Sequence, residues 1–209
     1  MQWQVQAQQR VHNIQAILFD LDGTLIQSTG GIDRILTKWA EGLSLNVADV
    51  LSFSHGKRSI DIVRHFMNAA EVEQHYVTLT EQFIAAAGQS QAIDGAKGFI
   101  ETLNNLQIPW CIVSSSERVL IQSRLAAAGL TEPSLMVAAE DIEQGKPNPE
   151  GYLRAAASMN IPIEACLVFE DAPSGVHAAQ SAGAQVITVG KLVFDDYSNI
   201  QTYAEVDII

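Results

Sequence analysis

Apolar residues along this chain fall into two patterns that alternate. Three short unbroken runs, Ala16-Ile17-Leu18-Phe19, Trp110-Cys111-Ile112-Val113 and Leu167-Val168-Phe169, are bounded by polar residues. They are too short for core helices, so each reads as a buried strand. Between Ile26 and Ser90 no convincing strand occurs. There Ile32, Ile35, Leu36, Trp39 and Leu43 recur at helical spacing, as do Ile60, Ile62, Val63, Phe66 and Met67, and then Val77, Leu79, Phe83 and Ile84. From Ile108 to Val189 strand-like runs return in alternation with helical patterns, which indicates βαβ units and a parallel sheet. Asp94-Gly95 opens a helix ending near Leu106, and Ser116-Glu117 opens one from Val119 to Ala128 that Gly129 closes. Pro149 and Pro173 stand early in two more, the second stopped by Gly183.

The expected fold class is α/β: a Rossmann-like doubly wound parallel sheet with the Asp20 strand central, interrupted by an inserted all-helical cap domain. The core is expected over 1–26 and 91–209, and the cap over 27–90. The borders fall in Gln27-Ser28-Thr29-Gly30-Gly31 and Gly88-Gln89-Ser90-Gln91, Gly-containing and polar as linkers between domains are, and are expected to act as hinges. The Gln-rich residues 1–10 receive no element.

With 209 residues, 47% of them hydrophobic and 17% charged, the chain is long enough for a sizeable core and ordinary for a globular protein. A net charge of −12, with no local basic cluster, argues against nucleic acid and anionic membrane as partners. No apolar stretch approaches the length of a membrane span, and residues 1–10 lack the apolar core of a signal peptide. A cytoplasmic protein acting on a small molecule is therefore expected. Cys111 and Cys166 lie in apolar runs without CxxC spacing and read as buried hydrophobes. Trp39 and Trp110 read as core, and His12, His65, His75 and His177 as solvated or helix-surface residues.

The strand ends carry the chemistry. Asp20 and Asp22 follow the first run, one residue apart, where extended geometry points both carboxylates the same way and Gly23 lets the backbone turn close to a ligand. That edge of an open α/β sheet is where ligands bind. Taken alone, Asp22-Gly23 could simply end a strand in a turn. The second run, however, ends in Ser114-Ser115-Ser116, the third in Glu170-Asp171, and Lys146 stands between Gly145 and Pro147 just before a helix. Nucleophile, hydroxyl and backbone donors, a cation and a second acidic pair together suit magnesium-assisted attack on a phosphate.

In order and spacing, Asp20-x-Asp22-Gly23-Thr24, Ser114, Lys146-Pro147 and Glu170-Asp171 resemble the four motifs of the haloacid dehalogenase superfamily, in the branch with a small helical cap between the first two motifs. The resemblance spans Ile14 to about Gly190. It implies Asp20 as a nucleophile that forms an aspartyl-phosphate, Asp22 as general acid and base, and Lys146 as a fixed charge beside them. Gly23, Thr24, Ser114 and Ser115 would contact the phosphoryl group. It further implies Mg²⁺ held by the side chains of Asp20 and Asp171 and the backbone carbonyl of Asp22, with Glu170 acting mostly through bound water. The dehalogenase branch lacks an acid at the position of Asp22, so its presence argues for phosphoryl chemistry.

In the cap, His55-Gly56-Lys57-Arg58 is similar to the His-Gly-x-Arg run that faces the active site in sugar and polyol phosphatases; a polar interhelical turn is the other reading. His55, Gly56 and Arg58 are thus expected to hold the leaving group. The chain departs from many relatives at Gln27, where they carry Asp. The resemblance implies hydrolysis of a small sugar or polyol phosphate, as in hexitol, 2-deoxyglucose-6-phosphate and glycerol phosphate phosphatases, by a monomer or weak homo-oligomer. Alternatives are a sugar phosphomutase, a phosphonate hydrolase using Lys38 or Lys57, and a non-catalytic binding protein. Thr24-Leu25 and His55-Gly56-x-Arg58 favour hydrolysis.

Overall fold

The computed structural model describes residues 1–191 and 196–209. In chain order its elements are β1 (Trp3–Ala7), β2 (Arg10–Ile14), β3 (Ala16–Phe19), β4 (Ile26–Gln27), α1 (Thr29–Gly42), α2 (Val47–Ser54), α3 (Ser59–Phe66), α4 (Val72–Ala86), β5 (Gln91–Ala92), α5 (Ala96–Asn105), β6 (Trp110–Val113), α6 (Arg118–Ala128), β7 (Met136–Val137), α7 (Glu150–Ser158), β8 (Cys166–Glu170), α8 (Pro173–Ala182), β9 (Gln185–Val189), β10 (Ser198–Ile200) and β11 (Val206–Ile208). The three apolar runs of the sequence become β3, β6 and β8, adjacent in a six-stranded sheet of order β10-β9-β8-β3-β6-β7. Every neighbouring pair is parallel, and Phe19 stands opposite Ile112 on one side and Phe169 on the other.

Strands covered on both faces are apolar at every position, because successive side chains point to opposite sides. Ile17, Phe19, Trp110, Ile112, Leu167 and Phe169 pack with Phe99 and Leu103 of α5 and Ile121 and Leu125 of α6. Ala16, Leu18, Cys111, Val113, Cys166 and Val168 pack with Tyr152 of α7 and Val176 of α8. The Phe19 ring stacks on Phe169 at 5.2 Å between centroids, which fixes β3 against β8. Both cysteines are free and buried, as expected for small hydrophobes. No helix among the described residues is long and apolar enough to cross a membrane.

The cap comprises α1 to α4, closed over Leu36, Trp39, Val50, Ile62, Val63, Leu79 and Phe83. Leu120 of the core helix α6 joins that cluster, so the cap core and the sheet domain share a side chain. The helix α2 is additional to the three expected in the cap, although Val47, Val50 and Leu51 stand at helical spacing and pack into the same cluster. Asn46 caps it, its side chain accepting from Ala48 N at 2.9 Å. The expected linkers also differ. Gly30 and Gly31 lie in the first turn of α1, closed by Gly31 N–Ser28 O at 2.9 Å and Ile32 N–Ser28 O at 3.1 Å. Glycine costs a helix only about 1 kcal/mol relative to Ala, too little to stop one that buries an apolar face. The chain passes between core and cap through β4 and β5, an antiparallel pair with Ile26 opposite Ala92 and Gln27 opposite Gln91, so Gln27 and Gln91 at the outer ends of the two expected linkers pair with each other.

The Gln-rich start is ordered. β1 pairs with β2 and with β11 in a three-stranded antiparallel sheet. Trp3-Gln4-Val5-Gln6-Ala7 alternates with period two; Val5 and Ala7 are fully buried while Gln4 is exposed. Ser198 Oγ donates to Ala7 O at 3.1 Å and Gln8 Nε2 to Asn199 O at 2.6 Å, fastening the hairpin to the edge strand β10. Of the histidines, His12 is half-buried with Nδ1 3.1 Å from Gln185 Oε1, and His75 Nδ1 accepts from Trp39 Nε1 at 3.3 Å, so neither is simply solvated. His65 and His177 are exposed on helices.

If the hairpin is part of the core, position 5 will be intolerant and position 4 tolerant. Val5→Asp should lower the unfolding free energy by at least about 3 kcal/mol, since it buries an unpaired charge, and Gln4→Asp by under about 0.5 kcal/mol. Urea midpoints of the two variants decide this.

Candidate active site

The C-terminal edges of β3, β6 and β8 meet beneath the cap. Asp20 and Asp22 follow β3, Ser114 follows β6, and Glu170 and Asp171 stand at the end of β8. Lys146 enters from the loop between β7 and α7. A cavity of about 630 Å³ opens between this edge and the cap, lined by Asp20, Asp22, Gly23, Ser114, Ser115 and Asp171 from below and by His55, Gly56 and Lys57 from above. An apolar wall of Ile32, Ile62, Phe83 and Leu120 completes it.

Lys146 joins the two acidic motifs. Its Nζ donates to Asp20 Oδ1 at 2.6 Å and to Glu170 Oε1 at 2.5 Å, and all three side chains are buried. Burial alone would pull the ammonium down, but Asp20 and Glu170 outweigh it and hold Lys146 well above its ordinary range. Asp20 Oδ2 has no hydrogen-bond partner among the described residues. Glu170 is saturated. Its Oε1 also accepts from Tyr152 OH at 2.9 Å, and Oε2 accepts from Asp171 N at 2.9 Å and Ala172 N at 3.0 Å. A carboxylate offers about four acceptor sites, so all are in use and a direct metal bond would have to displace one. Gly175 makes room for this: a Cβ there would lie 1.6 Å from Glu170 Oε1.

Asp20, Glu170 and Asp171 each offer a carboxylate oxygen, all within 4.8 Å of one another. Burial pushes Asp20 up to about 7, opposed by Lys146 and reinforced by Glu170. Burial likewise lifts Asp171 to about 9, with Asp20 and Glu170 adding to it. The cluster thus lacks positive charge, and its donors are hard oxygens, which fits Mg²⁺. Gly23 is required beside it, with φ +91° and a Cβ that would fall 1.9 Å from Asp171 Oδ2. Thr24 braces the same carboxylate through Oγ1 at 3.4 Å and is buried, away from the phosphoryl contact expected of it.

Asp22 is held by residues that sequence reasoning missed. Ser28 donates to its Oδ1, and Ser116 Oγ (at 2.9 Å) and Arg124 Nη1 both reach its Oδ2. Arg124 Nη1 also donates to Ser116 Oγ at 3.0 Å. A signal for Arg124 was present: the buried positions of α6 are Leu120, Ile121, Arg124 and Leu125, so a charge stands on the apolar stripe. Ser114 Oγ accepts from Ser116 N at 3.1 Å and stays at the cavity wall.

The cap loop meets the core through its backbone. Ser115 Oγ donates to Gly56 O at 2.8 Å and Ser174 Oγ to His55 O at 2.9 Å. Gly56, at φ +71°, sits so close that a Cβ would be 2.4 Å from Ser174 Oγ. His55 is exposed at the cavity, with Nε2 3.8 Å from Asp33 Oδ1. Arg58 differs from expectation. Its side chain is buried off the cavity and turns to Asp61 and to the carbonyls of Ile142 and Glu143, because a guanidinium leaving water takes the nearest carboxylate and carbonyls. Lys57 lines the cavity in its place.

Comparison with known proteins agrees with this geometry. A model of the family described as "haloacid dehalogenase-like hydrolase" matches residues 14–183. Hexitol phosphatase A of Escherichia coli is 37% identical over 175 residues, covering 82% of this chain and 81% of its own length. Glycerol-1-phosphate phosphohydrolase 2 of Saccharomyces cerevisiae is 30% identical over 186 residues, covering 84% and 74%. The fold is shared with a hydrolase from Pseudomonas syringae at a TM-score of 0.79 and 21% identity, over 90% of this chain and 93% of that one.

The raised carboxyls fix the sign of a pH effect. Asp20 and Asp171 titrate above their ordinary 3.8 when folded, so the folded state prefers their protons, and that stability is lost as pH rises through about 7 and about 9. Lys146 keeps its proton throughout this window. Metal-free protein should therefore lose melting temperature between about pH 5 and about pH 9 relative to Asp171→Asn, whose profile should be flatter. Added Mg²⁺ should raise the wild-type midpoint more at the alkaline end. Parallel profiles for the two proteins would show that the cluster is not charge-starved.

Proposed function

The chain belongs to the haloacid dehalogenase-like hydrolases, and on that premise we propose that it hydrolyses the monoester of a small sugar or polyol phosphate, with Asp20 as nucleophile. Mg²⁺-dependent phosphohydrolase chemistry is the family's common ground, and the acidic cluster fits it. The observation that carries the finer reading is Asp20 itself. One of its oxygens is fixed by Lys146, the other has no hydrogen-bond partner among the described residues, and Asp20 lines a cavity whose volume suits a small ester. The printed names of the hexitol and glycerol phosphate relatives support the choice of leaving group.

In the proposed reaction Asp20 attacks phosphorus, a P–O bond forms to its carboxylate, and the P–O bond to the alcohol breaks. Asp22 gives its proton to the departing oxygen. Water then attacks the aspartyl-phosphate, Asp22 takes up the water's proton, inorganic phosphate leaves and Asp20 is regenerated. The side chains of Asp20 and Asp171 and the carbonyl of Asp22 would hold Mg²⁺, with Glu170 acting mostly through bound water, and the ion would supply positive charge that offsets repulsion between carboxylate and phosphate. Lys146 holds Asp20 in line and faces the same developing charge. Ser114 and the backbone of Ser115 and Gly23 surround the phosphoryl oxygens. To serve as acid, Asp22 exchanges one of its three donors, Ser28, Ser116 or Arg124, for the ester oxygen.

Phosphate release from a panel of sugar, polyol and aryl phosphates tests the reading. Asp20→Asn should abolish turnover on all of them with an unchanged circular dichroism spectrum. Asp22→Asn should lose about 100-fold or more on alkyl esters but far less on an aryl ester, whose leaving group needs no proton. EDTA should stop the wild type and Mg²⁺ restore it. Equal losses for the two variants on both ester classes would remove the separate roles.

A further inference from the structure

We propose that Arg58 and Asp61 form a clasp through which the cap sets the loop carrying Lys146, so that both act as positioning residues and neither touches substrate. The proposal rests on the role given to Lys146 above. Arg58 stands at the N-cap of α3 and Asp61 one turn later. Nε donates to Asp61 Oδ2 at 2.6 Å and Nη2 to Oδ1 at 2.9 Å, the two-pronged geometry that fixes a guanidinium plane. Thus oriented, the remaining donors leave the cap: Nη1 reaches Ile142 O at 2.9 Å and Nη2 reaches Glu143 O at 3.0 Å. The neighbouring Lys57 adds Nζ to Lys146 O at 2.9 Å. Gly145 passes so close beneath the pair that a Cβ would lie 2.7 Å from Arg58 Nε and 2.8 Å from Asp61 Oδ2.

The loop depends on these contacts because it has no strand or helix ladder of its own between Ile142 and Pro149. On its core side Glu150 accepts from Glu143 N at 2.9 Å and Gln144 N at 2.8 Å. On its cap side the clasp holds the preceding carbonyls. Lys146 projects from between the two fastenings to Asp20 and Glu170 at 2.6 Å and 2.5 Å. A misplacement of about 1 Å at such a group can cost a hundredfold in rate. With the cap lifted, Arg58 and Lys57 would leave the loop, and only its core-side and internal hydrogen bonds would remain to hold it. Closure over a substrate then completes the charge beside the nucleophile.

Arg58→Met and Asp61→Asn, singly and together, should be compared on a polyol phosphate and on p-nitrophenyl phosphate, with hydrogen exchange read at the amides of 143–148. We expect kcat to fall about 10-fold or more on both esters with KM changed less than about threefold. The double variant should be no worse than the worse single one, and exchange should rise in 143–148 but not in β3 or β8. Arg58→Lys, which keeps the charge without the fork, should not restore kcat. A raised KM on the polyol phosphate with the aryl ester spared would make Arg58 a substrate ligand and overturn the proposal. So would a lowered melting temperature with kcat intact on both esters. If wild type released no phosphate from any ester, the hydrolase reading would fail on its own, and the exchange experiment would still decide the clasp: unchanged protection of 143–148 in both single variants refutes it. Asp61→Asn, nearly isosteric, keeps the test open should Arg58→Met not fold.

Discussion

Three carboxylates within 4.8 Å at a buried sheet edge repel one another, and the surrounding structure is arranged to tolerate that repulsion. Lys146 shares its ammonium between Asp20 and Glu170. Two backbone amides and Tyr152 occupy what remains of Glu170, which satisfies this fully buried side chain at the cost of making it a poor direct ligand. Burial and the repulsion left over fall on Asp20 and Asp171, the two carboxyls held above their ordinary pKa. A divalent cation removes that remainder, so metal binding and stability of the fold are linked through the same atoms.

The sheet makes this concentration of charge possible. In a parallel array every strand ends on the same side, so β3, β6 and β8 deliver an acid, a serine and a second acid to one place without any long-range coincidence in the chain. Apolar residues on both faces lock the strands, Phe19 and Phe169 on one and Leu18 and Val168 on the other, so the acids are held from a rigid base. Glycines give the clearance: a Cβ at Gly23 would fall 1.9 Å from Asp171 Oδ2, and one at Gly175 1.6 Å from Glu170 Oε1.

Most of this was legible in the sequence because it rests on period and on local chemistry. Two buried runs ended where β3 and β6 end and the third one residue short of the end of β8, Gly129 and Gly183 stopped their helices in the left-handed conformation, and Lys146 lies against the acids of two motifs. What stayed hidden depended on tertiary direction. The alternation Trp3-Gln4-Val5-Gln6-Ala7 was visible, yet its partner β11 lies at the other end of the chain. Ser28 and Ser116 from two loops and Arg124 from α6 converge on Asp22, and although the apolar stripe of α6 marks Arg124, it does not name the partner. Arg58 matched a motif by type, but Asp61 one turn later turned its guanidinium away from the cavity. Motif agreement fixes a backbone position; the nearest uncompensated charge fixes where a long side chain goes.

The cap's attachment explains how substrate choice can vary over a constant reaction. At its tip the loop is docked by main-chain carbonyls, those of His55 and Gly56, against the hydroxyls of Ser174 and Ser115. Neither contact uses the side chain of His55, so a different residue there would change what faces the leaving group and leave the docking intact. Gly56 is fixed by clearance and Arg58 by the clasp, whereas His55 and the apolar wall of Ile32, Ile62 and Phe83 are fixed by neither. The cap thus separates groups that dock it on the core from side chains that line the cavity without a docking contact. Specificity can be altered at the second set without moving Asp20 or Lys146, as expected where fold and reaction are shared and substrates are not.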